Sequence, residues 1–289
     1  VWAQHLWTTV FGLNKRLRRY GADYRRYRRF FEESAGWSRG ELTAFQDEQV
    51  ARTVDHAWRT VPFWRRRMDG LKLSPQDIRR VADLPKLPPL EKEDIRSAGA
   101  DMLSTAVPAR QVRSATTSGS TGFPIVNYWT VDAEQREYGF HWARRRPHVR
   151  RGDSYGSFTG LQLLSADSLE PPFWRYNLAA GQTCYSIFHM TPETMEAYAE
   201  QIRRADHVYL EGYPSPIAML GRFMRDRGIE PPPETQCVFT TSEQLLPEHR
   251  AWIEQGFGVN VYDQYGQNEK AGSITEYDCG HLHYDINYS

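Results

Sequence analysis

The sequence predicts an α/β fold in which parallel or mixed strands are layered with helices. Three observations predict it. First, short apolar runs that suit buried strands recur at Val208-Tyr209-Leu210, Cys237-Val238-Phe239-Thr240 and Val259-Asn260-Val261-Tyr262. Second, helical stretches separate them, and strand–helix–strand alternation argues for parallel strands under helices. Third, 289 residues, 40% of them hydrophobic, suffice for a substantial core.

Taken in order, the chain opens with Trp2, Leu6, Val10, Leu13 and Leu17 on one face at helical spacing, with arginines opposite. Eight basic residues lie between Lys15 and Arg29, with Asp23 the single acid among them, which reads as an Arg-rich, partly helical surface. Ser38-Arg39-Gly40-Glu41 has capping-box spacing and predicts a helix to about Trp58, with Leu42, Phe45, Val54 and Trp58 inward. Ser74-Pro75-Gln76-Asp77 opens a short helix in the same manner, and Pro85, Pro88 and Pro89 interrupt the chain after it.

The central stretch is Thr116-Thr117-Ser118-Gly119-Ser120-Thr121-Gly122-Phe123-Pro124. Strand-like residues flank it on both sides, 111–114 and 125–130. Gly119 and Gly122 let the backbone turn N–H groups toward an anion, and the hydroxyls add donors. The bland alternative is a polar hairpin loop. It is not a Walker loop, because the Gly-Lys-Ser/Thr ending and the helix after it are missing. Beyond it, Asp132-Ala133-Glu134-Gln135 should cap a helix to about Arg146. Residues 150–190 show weak periodicity and no clear elements. Thr191-Pro192 and Ser215-Pro216 should each start a helix, the second stopping at Gly228, and a last helix is expected from about Pro247 to Gln255. Ligands in open α/β sheets bind beyond the carboxyl ends of strands. Two such ends stand out here, Thr240-Thr241-Ser242-Glu243 and Tyr262-Asp263-Gln264-Tyr265-Gly266-Gln267-Asn268-Glu269.

Thr-Ser-Gly-Ser-Thr-Gly-x-Pro, then Gly-Tyr-Pro-Ser, Thr-Ser-Glu and Tyr-Gly-x-x-Glu in that order resemble the adenylate-forming (acyl-CoA synthetase) superfamily, in its phenylacetate-CoA ligase branch. Trp37-Ser38, Gln46, His56-Ala57, Val61-Pro62-Phe63-Trp64-Arg65 and Asp83-Leu84-Pro85-Lys86-Leu87-Pro88 resemble that branch's amino-terminal region, especially its capsular-polysaccharide-associated subgroup. The resemblance implies the family's large N-terminal domain. Residues 1–100 would form an Arg-rich helical region packing on the core, and residues 101–289 a nucleotide- and acyl-binding α/β core. It further implies that the mobile C-terminal domain, with its catalytic Lys, is absent from this chain, which would then be poorly active.

Residue by residue, the resemblance assigns ATP phosphates to Thr116, Thr117, Ser118, Gly119, Ser120, Thr121 and Gly122, with Thr117 also catalytic. Phe123 stands where many members carry Lys. Ser242 and Glu243 would lie near the adenine, with Gln264 and Gly266 beside it and Tyr265 stacked on it. Tyr213 and Pro214 would border the acyl pocket, and Glu269 would be catalytic by holding Mg²⁺. The implied reaction converts a carboxylic acid to an acyl-AMP with release of pyrophosphate, then transfers the acyl group to CoA. Transfer to an amine or hydroxyl, or a non-catalytic binding role, are the alternatives.

Formal charge is zero, from 36 basic and 36 acidic residues. With no recognition motif, nucleic acid is not an expected partner. No apolar run approaches the roughly 20 residues of a membrane span. The expected partners are a small-molecule carboxylate, ATP and CoA, with a homodimer left open. Three scattered cysteines make no disulfide framework and suggest a cytoplasmic setting. Cys279-Gly280-His281-Leu282-His283 admits a zinc reading, which would need a fourth ligand such as Cys237, but a strand turn fits it better.

Overall fold

The computed structural model describes residues 2–116, 126–165, 167–168 and 170–289. The amino-terminal part is helical: α1 (Trp2–Arg19), α2 (Ala22–Ser34), α3 (Arg39–Thr60), α4 (Pro62–Gly70) and α5 (Lys92–Ala98). The expected capping box starts α3: Glu41 N–H donates to Ser38 Oγ, while Ser38 N–H donates to the Glu41 carboxylate. Val54 is buried, whereas Leu42, Phe45 and Trp58 are half-buried. Ser74 and Asp77 make a second capping box, but it frames only a single 3₁₀ turn, Pro75–Asp77.

An antiparallel hairpin follows, β1 (Val112–Thr116) with β2 (Val126–Thr130), in register from Val112↔Thr130 to Thr116↔Val126. Helix α6 (Val131–Arg145) leaves β2 directly. Its cap is Thr130, whose hydroxyl accepts from Ala133 N–H; the expected cap, Asp132, lies inside the first turn. The remaining elements are β3 (Tyr155–Thr159), β4 (Trp174–Asn177), β5 (Gln182–Ser186), α7 (Met195–Arg204), β6 (Tyr209–Gly212), α8 (Pro214–Asp226), β7 (Cys237–Thr241), α9 (Pro247–Phe257), β8 (Asn260–Gly266), β9 (Ser273–Glu276) and β10 (Leu282–Tyr284).

These strands form an eight-stranded sheet in the order β10-β9-β8-β7-β6-β3-β5-β4. β5, β3, β6, β7 and β8 run parallel, and antiparallel strands complete both edges. Alternation of side chains through the sheet explains the layering. Leu210, Val238 and Val261 point to one face, where they pack with Tyr198 and Ile202 of α7, Ile217 and Leu220 of α8, and Ile253 and Phe257 of α9. Their neighbours Tyr209, Cys237, Phe239 and Tyr262 point to the other face, covered by Trp142 of α6 and by Val149. Burial on both faces suits the apolar composition of these strands.

Helix α1 packs in an unusual sense. Its buried residues are Thr8 and Gly12, and it seals the free edge of β4 with polar side chains. Tyr176 N–H donates to His5 Nδ1 at 3.0 Å and Leu178 N–H to Thr9 Oγ1 at 3.2 Å, while Arg16 donates to Ala179 O at 2.5 Å. An open sheet edge is thereby satisfied. The stripe of Trp2, Leu6, Val10, Leu13 and Leu17 is exposed, the reverse of an ordinary amphipathic surface helix.

Helices α8 and α9 cross so closely that a Cβ on Gly256 would run into the carbonyl of Gly221. Gly256→Ala should therefore destabilise the protein by about 1–3 kcal/mol, because neither backbone can yield without disturbing the core. Urea unfolding measures this; an unchanged midpoint would show that the two helices can separate freely.

Candidate active site

The carboxyl ends of β3, β6, β7 and β8 lie side by side, because these strands are parallel neighbours. Register brings two expected site segments together: Thr241 pairs with Gln264, so Ser242-Glu243 emerges beside Gln264-Tyr265-Gly266. β8 runs on through Gly266, so Gln264, Tyr265 and Gly266 belong to the strand itself instead of a loop beyond Tyr262. Thr240 Oγ1 donates to Asp263 Oδ1 at 2.7 Å, a cross-strand tie just below this edge. Burial raises the Asp263 carboxyl above its ordinary range, partly offset by the Thr240 hydroxyl.

Ser242 adopts φ 70°, a left-handed conformation that a serine occupies at a cost. It turns the chain sharply at the end of β7, and Ser242 and Glu243 are both exposed there. The Glu243 carboxylate accepts from Ser215 N–H at 3.3 Å, placing an acid at the positive amino-terminal end of α8. Tyr213 and Pro214 enter the same helix. Tyr213 N–H donates to Phe158 O of β3 at 2.9 Å, and its ring lies over Gly160. Gly212, at φ 143°, passes so near β3 that a Cβ would strike the Phe158 carbonyl. Tyr213, Pro214, Ser242, Glu243, Gln264, Tyr265 and Gly266 thus share one edge of the sheet. Tyr265 is 53% exposed.

Thr116 ends β1 opposite Val126. Thr117, Ser118, Gly119, Ser120, Thr121 and Gly122, with Phe123 and Pro124, lie outside the described residues. Glu269 follows β8 in a turn; it is exposed and has no hydrogen bond or ion pair among the described residues.

Sequence reading alone missed what fastens this turn. Lys270, at φ 57°, pairs with Glu137 of α6 at 2.5 Å, and its ammonium lies 5.1 Å from the Trp129 ring of β2. Tyr288 OH donates to its carbonyl at 3.1 Å. One residue thereby ties the Glu269 turn to the hairpin that carries residues 117–125. Gln264 is held similarly, its Nε2 donating to His141 Nδ1 of α6 at 2.9 Å. Burial, then nearby Arg145 and Lys270, push the His141 imidazole down to about 3, so it stays neutral and able to accept. The Lys270–Glu137 and Gln264–His141 partners are 133 and 123 residues apart, and no local spacing announces such a pairing. Cys279 Sγ, in the turn before β10, lies 3.1 Å from Nε2 of His283 within that strand. No group of three or more metal-ligating side chains occurs among the described residues, and residues 278–280 form the turn that leads into β10.

Burial raises the Glu137 carboxyl above its ordinary range, and the Lys270 ammonium pulls it back. A group whose folded pKa lies above its unfolded value stabilises fully below the unfolded value, and that contribution is lost as pH rises through the folded pKa. Removing the ammonium raises Glu137 further. Lys270→Met should therefore match wild-type stability near about pH 4 and fall behind by about 3 kcal/mol near neutrality, where the carboxylate would be buried unpaired. Urea melts at both pH values test this, and an equal deficit at each would show that Glu137 is not the responding group.

No family profile matches the chain. Among curated proteins, phenylacetate-coenzyme A ligase of Escherichia coli (strain K12) is 34% identical over 254 residues, 83% of this chain and 54% of its own length. Protein CapK of Staphylococcus aureus is 26% identical over 247 residues, 85% of this chain and 54% of its own length. The chain thus spans about half the length of the curated relatives it matches. Among solved structures, 2-hydroxyisobutyryl-CoA ligase in complex with 2-HIB-AMP and CoA superimposes with a TM-score of 0.62 at 18% identity, covering 85% of this chain and 54% of that one. At that identity the likeness shows the fold, which is the expected α/β architecture. Sequence relatives, motif order and fold agree: the chain belongs to the adenylate-forming superfamily, in the branch of the phenylacetate-CoA ligases.

Proposed function

We propose that this chain supplies the nucleotide- and acyl-binding core of an AMP-forming carboxylate–CoA ligase, with residues 101–289 as that core and residues 1–100 packed on it. The observation that carries this reading is the alignment of Ser242-Glu243 with Gln264-Tyr265-Gly266 at the carboxyl edge of a parallel sheet, beside Tyr213-Pro214. That edge is where open α/β sheets take nucleotides. Relatives named phenylacetate-coenzyme A ligase, and a neighbour solved with an acyl-AMP and CoA, support the chemistry and the acceptor.

In this reading the hydroxyls and backbone N–H groups of residues 116–122 hold the ATP phosphates. The adenine lies on the exposed ring of Tyr265, near Ser242 and Glu243, and the acyl chain lies against Tyr213. A carboxylate oxygen attacks the α-phosphorus, the bond to pyrophosphate breaks, and an acyl adenylate forms. The thiolate of CoA then attacks the acyl carbonyl and AMP leaves. The protein's part is to hold nucleophile and phosphorus in line and to surround the phosphate charge with donors. Glu269 fits Mg²⁺, being an exposed oxygen ligand without a partner among the described residues. The ion would neutralise charge on the phosphates. Lys270 keeps that carboxylate's turn beside the hairpin.

No helix among the described residues is long and apolar enough to cross a membrane. The free thiols of Cys184, Cys237 and Cys279 fit a reducing, cytoplasmic setting. Pairing of two copies also belongs to this reading.

Two measurements test it. Calorimetry of Mg·ATP should give about tenfold or weaker affinity when Thr117 and Ser118 are both changed to Ala, since hydrogen bonds to a charged phosphate contribute roughly 1.5–3 kcal/mol. Unchanged affinity would remove the nucleotide from this loop. Separately, Glu269→Gln should lower carboxylate-dependent pyrophosphate release on the order of a thousandfold, while stability moves by no more than about 0.5 kcal/mol. Wild-type release in that variant would rule out a metal role for Glu269.

A further inference from the structure

We propose that the outward face of α1 is the surface through which two copies of this chain pair, antiparallel, about a two-fold axis beside Val10. This gives the pairing named above a surface, and it rests on the exposure and spacing of α1 side chains, apart from the ligase chemistry. Trp2 is 87% exposed, Leu6 66%, Val10 59%, Leu13 47% and Leu17 72%. Trp7 and Phe11, stacked on each other at 5.4 Å, extend the stripe to one side. From ordinary side-chain areas these seven residues present on the order of 900 Å² of apolar surface. The largest apolar patch on a typical monomer is about 300–600 Å². One partner of a stable interface contributes about 800 Å². The area is therefore excessive for a free surface and sufficient for a dimer.

The spacing is self-complementary. Running outward from Val10, the stripe meets Leu6 and then Trp2 in one direction, and Leu13 and then Leu17 in the other. Antiparallel pairing sets Val10 against Val10, Leu6 against Leu13 and Trp2 against Leu17, as an isologous two-fold contact requires. The helix has 18 residues, about 27 Å at 1.5 Å per residue, so both ends engage together.

Charge argues for a protein partner over a lipid surface. Interfacial helices keep free Lys and Arg beside the apolar face to meet anionic headgroups. In α1 each of the four cations has a partner within the chain, although Arg16 itself stays exposed. Arg18 and Arg19 pair with Glu134, Arg16 donates to the Ala179 carbonyl, and Lys15 lies 4.4 Å over the Phe11 ring. What remains outward is an apolar strip that a second identical strip covers.

Sedimentation equilibrium on the 289-residue chain, from about 1 to about 100 µM, should give twice the 33.6 kDa chain mass. Leu6→Glu with Leu13→Glu should weaken association by at least about 100-fold and leave circular dichroism and melting unchanged, because both side chains are exposed. A separate variant carries Val10→Cys in a Cys279→Ser background. It should cross-link on oxidation, whereas Trp2→Cys should not, since its two copies would sit at opposite ends of the contact. Cross-linking settles the matter even if the double-Glu chain fails to fold. A monomer throughout, a dimer that survives both glutamates, or cross-linking through residue 2 in place of residue 10 would overturn the proposal. So would a monomer that co-sediments with phosphatidylcholine–phosphatidylglycerol vesicles.

Discussion

The in-register parallel pairing of β6, β7 and β8 is the constraint on which the rest depends. Their backbone groups are satisfied by each other, and their side chains are buried on both faces. A one-residue slip would turn every core side chain of a strand to the wrong face. The same register that fills the core sets Thr241 beside Gln264. The proposed nucleotide edge is thus a by-product of packing, with little freedom of its own. Gly212 and Ser242 sit where these strands end, in backbone conformations that bulky residues avoid, and turn the chain sharply out of the sheet.

Helix α6 connects that sheet to the hairpin. It follows β2 directly, and it reaches β8 through His141 and the following turn through Glu137. On the sheet face it covers, Arg145 reaches across to Glu211 of β6 at 2.7 Å. Two strand systems with no shared hydrogen bond among the described residues are therefore held in relation by side chains of one helix. Such buried polar ties are costly to leave half-made, which gives them more influence on geometry than on net stability.

Much of this was legible in the sequence. The capping box at Ser38 and Glu41, the prolines opening α8 and α9, and the apolar runs of β6, β7 and β8 follow local rules that the fold did not override. The family resemblance drew on motif order, which structure and sequence relatives then supported. Other features were not legible. β3 and β5 are short and carry Gly, Ser and Thr among their apolar residues, so their centrality shows only once β6 is seen beside β3. The apolar stripe of α1 was plain, but not its direction: a polar edge of β4, far along the chain, claims the other side. Lys270 and Glu137 find each other only through tertiary structure. Ser242, Glu243 and Tyr265 meet at one edge because the register of β7 on β8 sets Thr241 beside Gln264, a tertiary fact that no local spacing states.

A crystal structure of this chain with Mg²⁺ and a non-hydrolysable ATP analogue would locate the nucleotide. Adenine density is expected against the Tyr265 ring, beside Ser242 and Glu243, with the phosphates running to residues 116–122 and the metal on Glu269. Nucleotide bound away from the carboxyl edge of β7 and β8, or phosphates that do not touch residues 116–122, would contradict this placement.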